Sequence, residues 1–301
     1  MREESPVHSS RSGDWPLSRV LELKGGHRIA VVIPARNEQA TVADVVQIIR
    51  TDLGDLADEV IVMDSLSTDD TAAAAAAAGA RVFPVADVRP DLGVHAGKGE
   101  ALWKSLFVTD ADVLVFIDAD LTEWGPHFVT GLIGPMLADP EVMLVRGFYD
   151  RVLNIGSSHS LEGGRVTELV ARPWLALHRP ALAEVIQPLA GEWAMRRSAF
   201  ELLSVPMGYG VELATLLDVH DRFGAGAIVQ VDLGRRAHRH QSLHDLSAMA
   251  LELMAIADRR RSHGSDGGPT GSVSLRVPLP DRGWSVREIS VGERPPHISV
   301  R

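Results

Sequence analysis

Continuous apolar runs and helical stripes take turns along the first half of the chain. Ile29 to Ile33 form a β-branched run stopped by Pro34, which predicts a buried strand followed by a loop. In "TVADVVQIIR", Val42, Val45, Val46 and Ile49 fall at i, i+3, i+4 and i+7, the stripe of an amphipathic helix. Thr41 with Asp44 three residues on resembles a capping box at its start. "EVIVMDS" predicts a second strand ending at Asp64 and Ser65. "TDDTAAAAAAAGARV" predicts an alanine-rich helix closed by Gly79, its alanines serving helix propensity and close packing. A short strand "ARVFPV", a helix "GKGEALWKSLFVT" and a fourth strand "DVLVFIDADL" follow. Strands alternating with helices predict an α/β fold, a doubly wound and mostly parallel sheet with helices on both faces.

From about Glu141 the pattern is less regular. "VMLVRGFYDR" predicts a strand turning into a loop, and "GGRVTELVARPWLALH" a glycine-rich entry into a helix. "PLAGEWAMRRSAFELL" and "GYGVELATLLDVHDRFG" carry further helices. "AIVQVDLGRRAHRHQ" is a strand running into a basic, histidine-containing loop, and "LHDLSAMALELMAIADRRR" is another amphipathic helix. "SHGSDGGPTGS" has the composition of a flexible linker, and the tail beyond it is expected to add edge strands or to lie over a partner.

Composition narrows the function classes. The chain has 301 residues, 45% hydrophobic and 23% charged, as in ordinary globular domains. It has no cysteine, which removes disulfides and thiolate metal sites and suits a reducing cytosol. A net charge of −10 gives a nucleic-acid partner no electrostatic support. No apolar run is long enough to span a bilayer. The opening "MREESPVHSSRSGDWP" lacks the apolar centre of a signal peptide and reads as a loose arm.

The chemistry collects at strand ends. In a doubly wound sheet, ligands sit outside the carboxyl ends of the strands, where strand order reverses. Three polar segments fall there: "PARNE", "DSLSTD" and "DADL". Asp118 and Asp120 follow a buried strand, and two like charges side by side call for a cation. Carboxylates suit Mg2+ or Mn2+, hard ions that take few protein ligands and fill the rest with phosphate oxygens. The acids are therefore expected to hold a metal, and the metal a diphosphate. "AGKGEA" is no P-loop, since no serine or threonine follows the lysine, but Lys98 can still reach a phosphate. Asn37 and Glu38 suit a base or ribose. Gly163 and Gly164 at a helix start, with Arg165 and Thr167 in its first turn, suit an anion.

Taken in order, "VVIPARNE", "DSLSTD", "GKGEALWKSL", "DADL", "GGRVTELVARP", "GYGVEL" and "RRAHRH" resemble the glucosyl-3-phosphoglycerate synthases of glycosyltransferase family 81, over roughly residues 27 to 260. The resemblance implies a GT-A fold, Rossmann-like, with a C-terminal acceptor-binding part. The activity it implies is transfer of glucose from UDP-glucose to 3-phosphoglycerate with retention of anomeric configuration. It implies that Pro34, Ala35, Asn37, Glu38 and Ser65 hold the nucleoside, and that Asp118 and Ala119 line the nucleotide. Lys98 and Arg236 then meet the diphosphate, and Asp120 and His238 bind Mg2+ or Mn2+. Glu212 and the carbonyl of Leu189 face the sugar; Gly164, Arg165, Val166 and Thr167 hold the acceptor phosphate, with Tyr209 nearby. The chain then divides into an arm (1–24), a nucleotide-sugar half (25–140), an acceptor and metal-completing half (141–262) and a linker with tail (263–301). A cytosolic homodimer is expected. The pattern departs at Leu66 in the second polar loop and at His240, where asparagine is usual beside the acceptor. A transferase with another donor (GDP-mannose or GDP-glucose) or another phosphorylated acceptor, and a non-catalytic nucleotide binder, are the alternatives.

Overall fold

The computed structural model describes residues 7–152, 164–237, 243–261, 271–278 and 283–300. In chain order the elements are β1 (His8–Arg11), α1 (Leu17–Lys24), β2 (Ile29–Ala35), α2 (Val42–Leu53), β3 (Glu59–Asp64), α3 (Thr71–Ala77), β4 (Arg81–Pro84), α4 (Lys98–Ser105), β5 (Val113–Phe116), α5 (His127–Ala138) and β6 (Leu144–Val152). A π-helical turn, Thr167–Ala171, then leads into α6 (Arg172–His178), followed by β7 (Trp193–Arg196), α7 (Arg197–Phe200), β8 (Val205–Pro206), α8 (Val211–Phe223), β9 (Ile228–Ala237) and α9 (Leu243–Arg261). The last strands are β10 (Ser272–Pro278), β11 (Trp284–Ser290) and β12 (Glu293–Arg294).

Eight strands form one sheet in the order β1-β9-β6-β7-β5-β2-β3-β4. All neighbours are parallel except β7, which runs against both β5 and β6. From β2 the chain steps outward to β3 and β4, then returns to β5 on the other side. The ligand crevice of such a sheet therefore opens beyond Ala35 and Phe116. The continuous apolar runs are explained by two cores. Ala30, Val32, Leu114 and Phe116 join the core on one face, and Ile29, Val31, Ile33, Val113 and Val115 the core on the other.

Several expectations change. The loose arm is built in from Val7 onward: β1 pairs with β9, and Trp15 is buried against α5. A Cβ at Gly134 would collide with the Trp15 ring, so α5 and the arm are fitted to each other. Strand β2 runs through Pro34 to Ala35. Its pairing with β5 stops at Val32, so the missing N–H of proline costs no ladder bond on that side. The expected capping box does not form; Thr41 Oγ1 contacts Glu38 instead. Trp193–Arg196, expected in a helix, is the antiparallel strand β7. The tail contributes a separate hairpin of β10 and β11, and β12 pairs with β8 beside α4. Of the expected linker, 262–272, residues 262–270 lie outside the described residues, and Ser272 already opens β10.

Candidate active site

The loops after β2 and β3 form one wall. Asn37, in a left-handed conformation (φ 57°), accepts the Thr68 N–H on Oδ1 at 2.8 Å and donates its own N–H to Ser67 Oγ at 3.0 Å. The Glu38 N–H donates to Thr71 Oγ1 at 2.8 Å, and Asp70 N–H to Gln39 Oε1 at 3.1 Å. Asn37 thus spends its side-chain oxygen within the wall. Ser65 is buried behind it, and its Oγ has no hydrogen-bond partner among the described residues, an orphan polar atom at the base of the crevice. Leu66, the departure noted above, is also left-handed (φ 63°) and 40% exposed, so it presents an apolar side chain at the rim.

The centre is a clasp around Lys98. Its Nζ lies 2.6 Å from Asp118 Oδ1 and 2.8 Å from Glu212 Oε1, and it reaches the Gly191 carbonyl at 3.4 Å. Burial pulls the lysine pKa down, but the charges of Asp118 and Glu212 and their hydrogen bonds outweigh it. The net shift is upward, so Lys98 stays cationic. The cation beside Asp118 is therefore an ammonium. Asp120, with Ala119 buried before it, offers the hard oxygen chemistry that Mg2+ or Mn2+ takes. A Cβ at Gly191 would strike the Asp118 carboxylate, which explains a glycine there. The first turn of α4 is docked as well: Gly99 N–H donates to Gly208 O at 3.1 Å and Glu100 N–H to Met207 O at 2.9 Å.

Arg146 was not anticipated. It is fully buried on β6 and donates to the Glu212 carbonyl, to Thr215 Oγ1 at 2.6 Å and to the Ala190 carbonyl at 3.3 Å. It also lies over the Trp193 ring, 5.1 Å from the centroid. Burial pushes its pKa down to about 10, against the charge of Glu212. It ties the Leu189–Gly191 turn to the start of α8, the two segments expected to face a sugar. The signal that finds it is a lone charge inside the apolar run "VMLVRGF", since an unexplained buried cation needs a purpose.

In the segment expected to take the acceptor, Gly164, Arg165, Val166 and Thr167 lead into the π-helical turn, with Val166 and Thr167 buried and Arg165 exposed. Tyr209 is 54% exposed. Pro34 and Ala35 end β2 at the crevice. The side chain of Arg236, and the residues His238, His240 and Gly163, lie outside the described residues.

A family model described as glycosyl transferase family 2 matches residues 30–203. The chain is 42% identical over 295 residues to the glucosyl-3-phosphoglycerate synthase of Mycolicibacterium smegmatis, covering 98% of this chain and 97% of that one. It is 44% identical over 297 residues to that of Mycobacterium tuberculosis, covering 95% and 90%. A solved structure of the M. tuberculosis enzyme in complex with Mn2+, UDP-glucose and phosphoglyceric acid superposes with a TM-score of 0.87 at 42% identity, covering 98% of this chain and 99% of that one.

Proposed function

The chain belongs to the glucosyl-3-phosphoglycerate synthases, and from that premise we propose that it transfers glucose from UDP-glucose to 3-phosphoglycerate with retention of configuration. The observation that carries the reading is the clasp of Lys98, Asp118 and Glu212 at the switch point of the sheet. The two acids hold Lys98 as a cation where the diphosphate of a nucleotide would lie, and the hard oxygens of Asp120 beside them suit a divalent metal.

Asp120 and His238 would hold that metal, which when bound neutralises charge on the departing diphosphate. Lys98, kept protonated by its two acids, is the protein's own cation there, and Arg236 is the second that the family resemblance implies. Pro34, Ala35, Asn37, Glu38 and Ser65 bind the nucleoside, and Asp118 and Ala119 line it. Glu212 and the Leu189 carbonyl orient the sugar hydroxyls. Glu212 is anchored by Lys98; no residue is assigned as a covalent nucleophile, and the acceptor is taken to attack from the face the diphosphate leaves. Gly164 to Thr167 and Tyr209 take the acceptor phosphate, and His240 its carboxylate. The reading carries with it a cytosolic homodimer, as the family resemblance implies. Among the described residues no helix is long and apolar enough to cross a membrane.

The test is a panel of UDP-glucose, GDP-glucose and GDP-mannose against 3-phosphoglycerate and other phosphorylated acids, read by mass spectrometry. UDP-glucose with 3-phosphoglycerate is expected to give the largest kcat/KM. Failure of 3-phosphoglycerate with every donor would reject the named acceptor.

A further inference from the structure

Glu252 is a buried acid on α9 that the chemistry above does not use. Its Oε1 accepts the N–H of Gly210 at 3.0 Å, and the neighbouring Tyr209 N–H also favours its ionised form. Gly210 is the residue from which α8 starts, and no side chain of its own caps that helix. Glu252 therefore supplies an acceptor that the orphan donors of a helix start require, from a different helix. The loop has no room for anything else. A Cβ at Gly208 would collide with the Glu252 carboxylate, and one at Gly210 with Ile256, one turn further along α9.

The other face of the same loop supports the clasp. The carbonyls of Met207 and Gly208 receive the N–H groups of Glu100 and Gly99, immediately after Lys98. In the same loop Tyr209 is more than half exposed, and Glu212 follows in the first turn of α8. One carboxylate thus lies beneath a segment that touches the lysine helix, carries Tyr209 and leads to the sugar-facing acid.

We propose that Glu252 is a positioning residue for the transfer, holding loop 207–210 in the conformation that sets Lys98, Tyr209 and Glu212 relative to one another. The proposal rests on the roles given to those three residues above. Burial pushes the Glu252 pKa up; the N–H groups of Gly210 and Tyr209 oppose this, the charge of Glu212 adds to it, and the result is about 7. Of the charges on elements packed against α9, Asp218 of α8 pairs with Arg260, Glu168 on the turn before α6 with Arg172, and Arg287 of β11 with Asp245. Lys98 faces the other side of the loop, held by Asp118 and Glu212. The ionised carboxylate is the stronger acceptor for the two N–H groups, so the loop is held best above neutrality.

The experiment compares wild type, Glu252→Gln and Glu252→Asp by initial rates from pH 6 to 8.5 and by hydrogen exchange of the peptide covering 207–213. Glutamine keeps the shape and one acceptor oxygen but cannot ionise. Its kcat at pH 8 is expected to fall about tenfold, as small misplacements do. The KM for UDP-glucose should stay within about twofold, and the rise of kcat with pH that wild type shows should flatten. Aspartate, shorter but ionisable, should regain the pH dependence at a reduced kcat. A glutamine variant with the wild-type kcat and pH profile overturns the proposal. So does one whose loss of rate follows its loss of melting temperature while the pH profile is unchanged. Exchange answers without any substrate: the 207–213 peptide should exchange about tenfold faster in the glutamine variant at pH 8, consistent with loss of a charge-assisted bond. Unchanged exchange contradicts the proposal, whereas absence of transfer in wild type alone would contradict only the functional reading.

Discussion

Helix α4 carries two lysines, Lys98 half-buried and Lys104 fully buried, and their surroundings are opposites. Lys98 sits between two acids, Asp118 and Glu212, and its pKa is raised. Lys104 sits at the other end, donating at 2.9 Å to the carbonyls of Val85 and Gly93, with Glu100 at 3.6 Å. Its pKa is lowered by burial; Glu100 opposes the shift, and Arg294 adds to it. Arg294 holds both Glu100 oxygens at 2.6 Å, donates to the Leu92 carbonyl at 2.7 Å and lies over Trp103. In the first group Lys98 is held by two carboxylates; in the second Lys104 shares Glu100 with Arg294 and gives its hydrogen bonds to backbone carbonyls. Those carbonyl and Arg294 bonds make the second group a structural tie between α4 and the tail. The first group lies at the strand tips, where the proposed function puts the diphosphate of the nucleotide. What each lysine does is read from its partners, since the residue type and helix are the same.

The sharpest way to break this contrast is at the structural end. Arg294→Met leaves Glu100 buried without its bidentate partner and should cost about 3–5 kcal/mol of stability in urea unfolding. The kcat of the folded fraction should be unchanged. Loss of turnover in the folded enzyme would erase the distinction. At the other end, Lys98→Met should lower kcat of the folded enzyme about 10²–10³-fold, the scale of removing one preorganised charge-stabilising donor, on top of the stability lost by leaving Glu212 without its cation. A large drop in melting temperature with little change in kcat would reverse the assignment. Thr167→Ala should raise the KM for 3-phosphoglycerate, with a lost hydrogen bond to a charged group worth roughly 1.5–3 kcal/mol. The KM for UDP-glucose should barely change, and a rise there instead would move Thr167 to the donor side. The smallest effect is on pH. The Glu252 pKa is raised from 4.5 to about 7 by folding. Its protonated native form therefore contributes stability that is present below pH 4.5 and lost as pH rises through 7. Glu252→Gln should remove about 1–2 kcal/mol of that decline between pH 5 and 8, measured as the difference in urea midpoints.

The parts of this picture differ in how openly the chain displays them. The parallel strands were legible because both faces are buried and the runs are unbroken, as at Ile29–Ile33. The strand-tip acids were legible because charge after such a run is conspicuous. Lys98 was visible in "GKGE", but its partnership with Asp118 and Glu212 is tertiary, made by residues far apart in the chain. Strand β7 was hidden because "EWAMRRSAF" mixes a short strand and a short helix without either period. Arg146 and Glu252 were passed over for related reasons. One is a single charge in a strand, and the other an acid in an amphipathic helix whose sequence suits a solvent face. Burial, which gives each its meaning, is decided by where β6 and α9 dock.

Glucosyl transfer at the Lys98 clasp is tested most directly by following the anomeric proton by NMR as the purified chain acts on UDP-glucose and 3-phosphoglycerate with Mn2+. The expected result is an α-configured glucoside of 3-phosphoglycerate, formed in step with UDP and abolished by excess EDTA. A β-configured product, or consumption of UDP-glucose at full rate in EDTA, would contradict it.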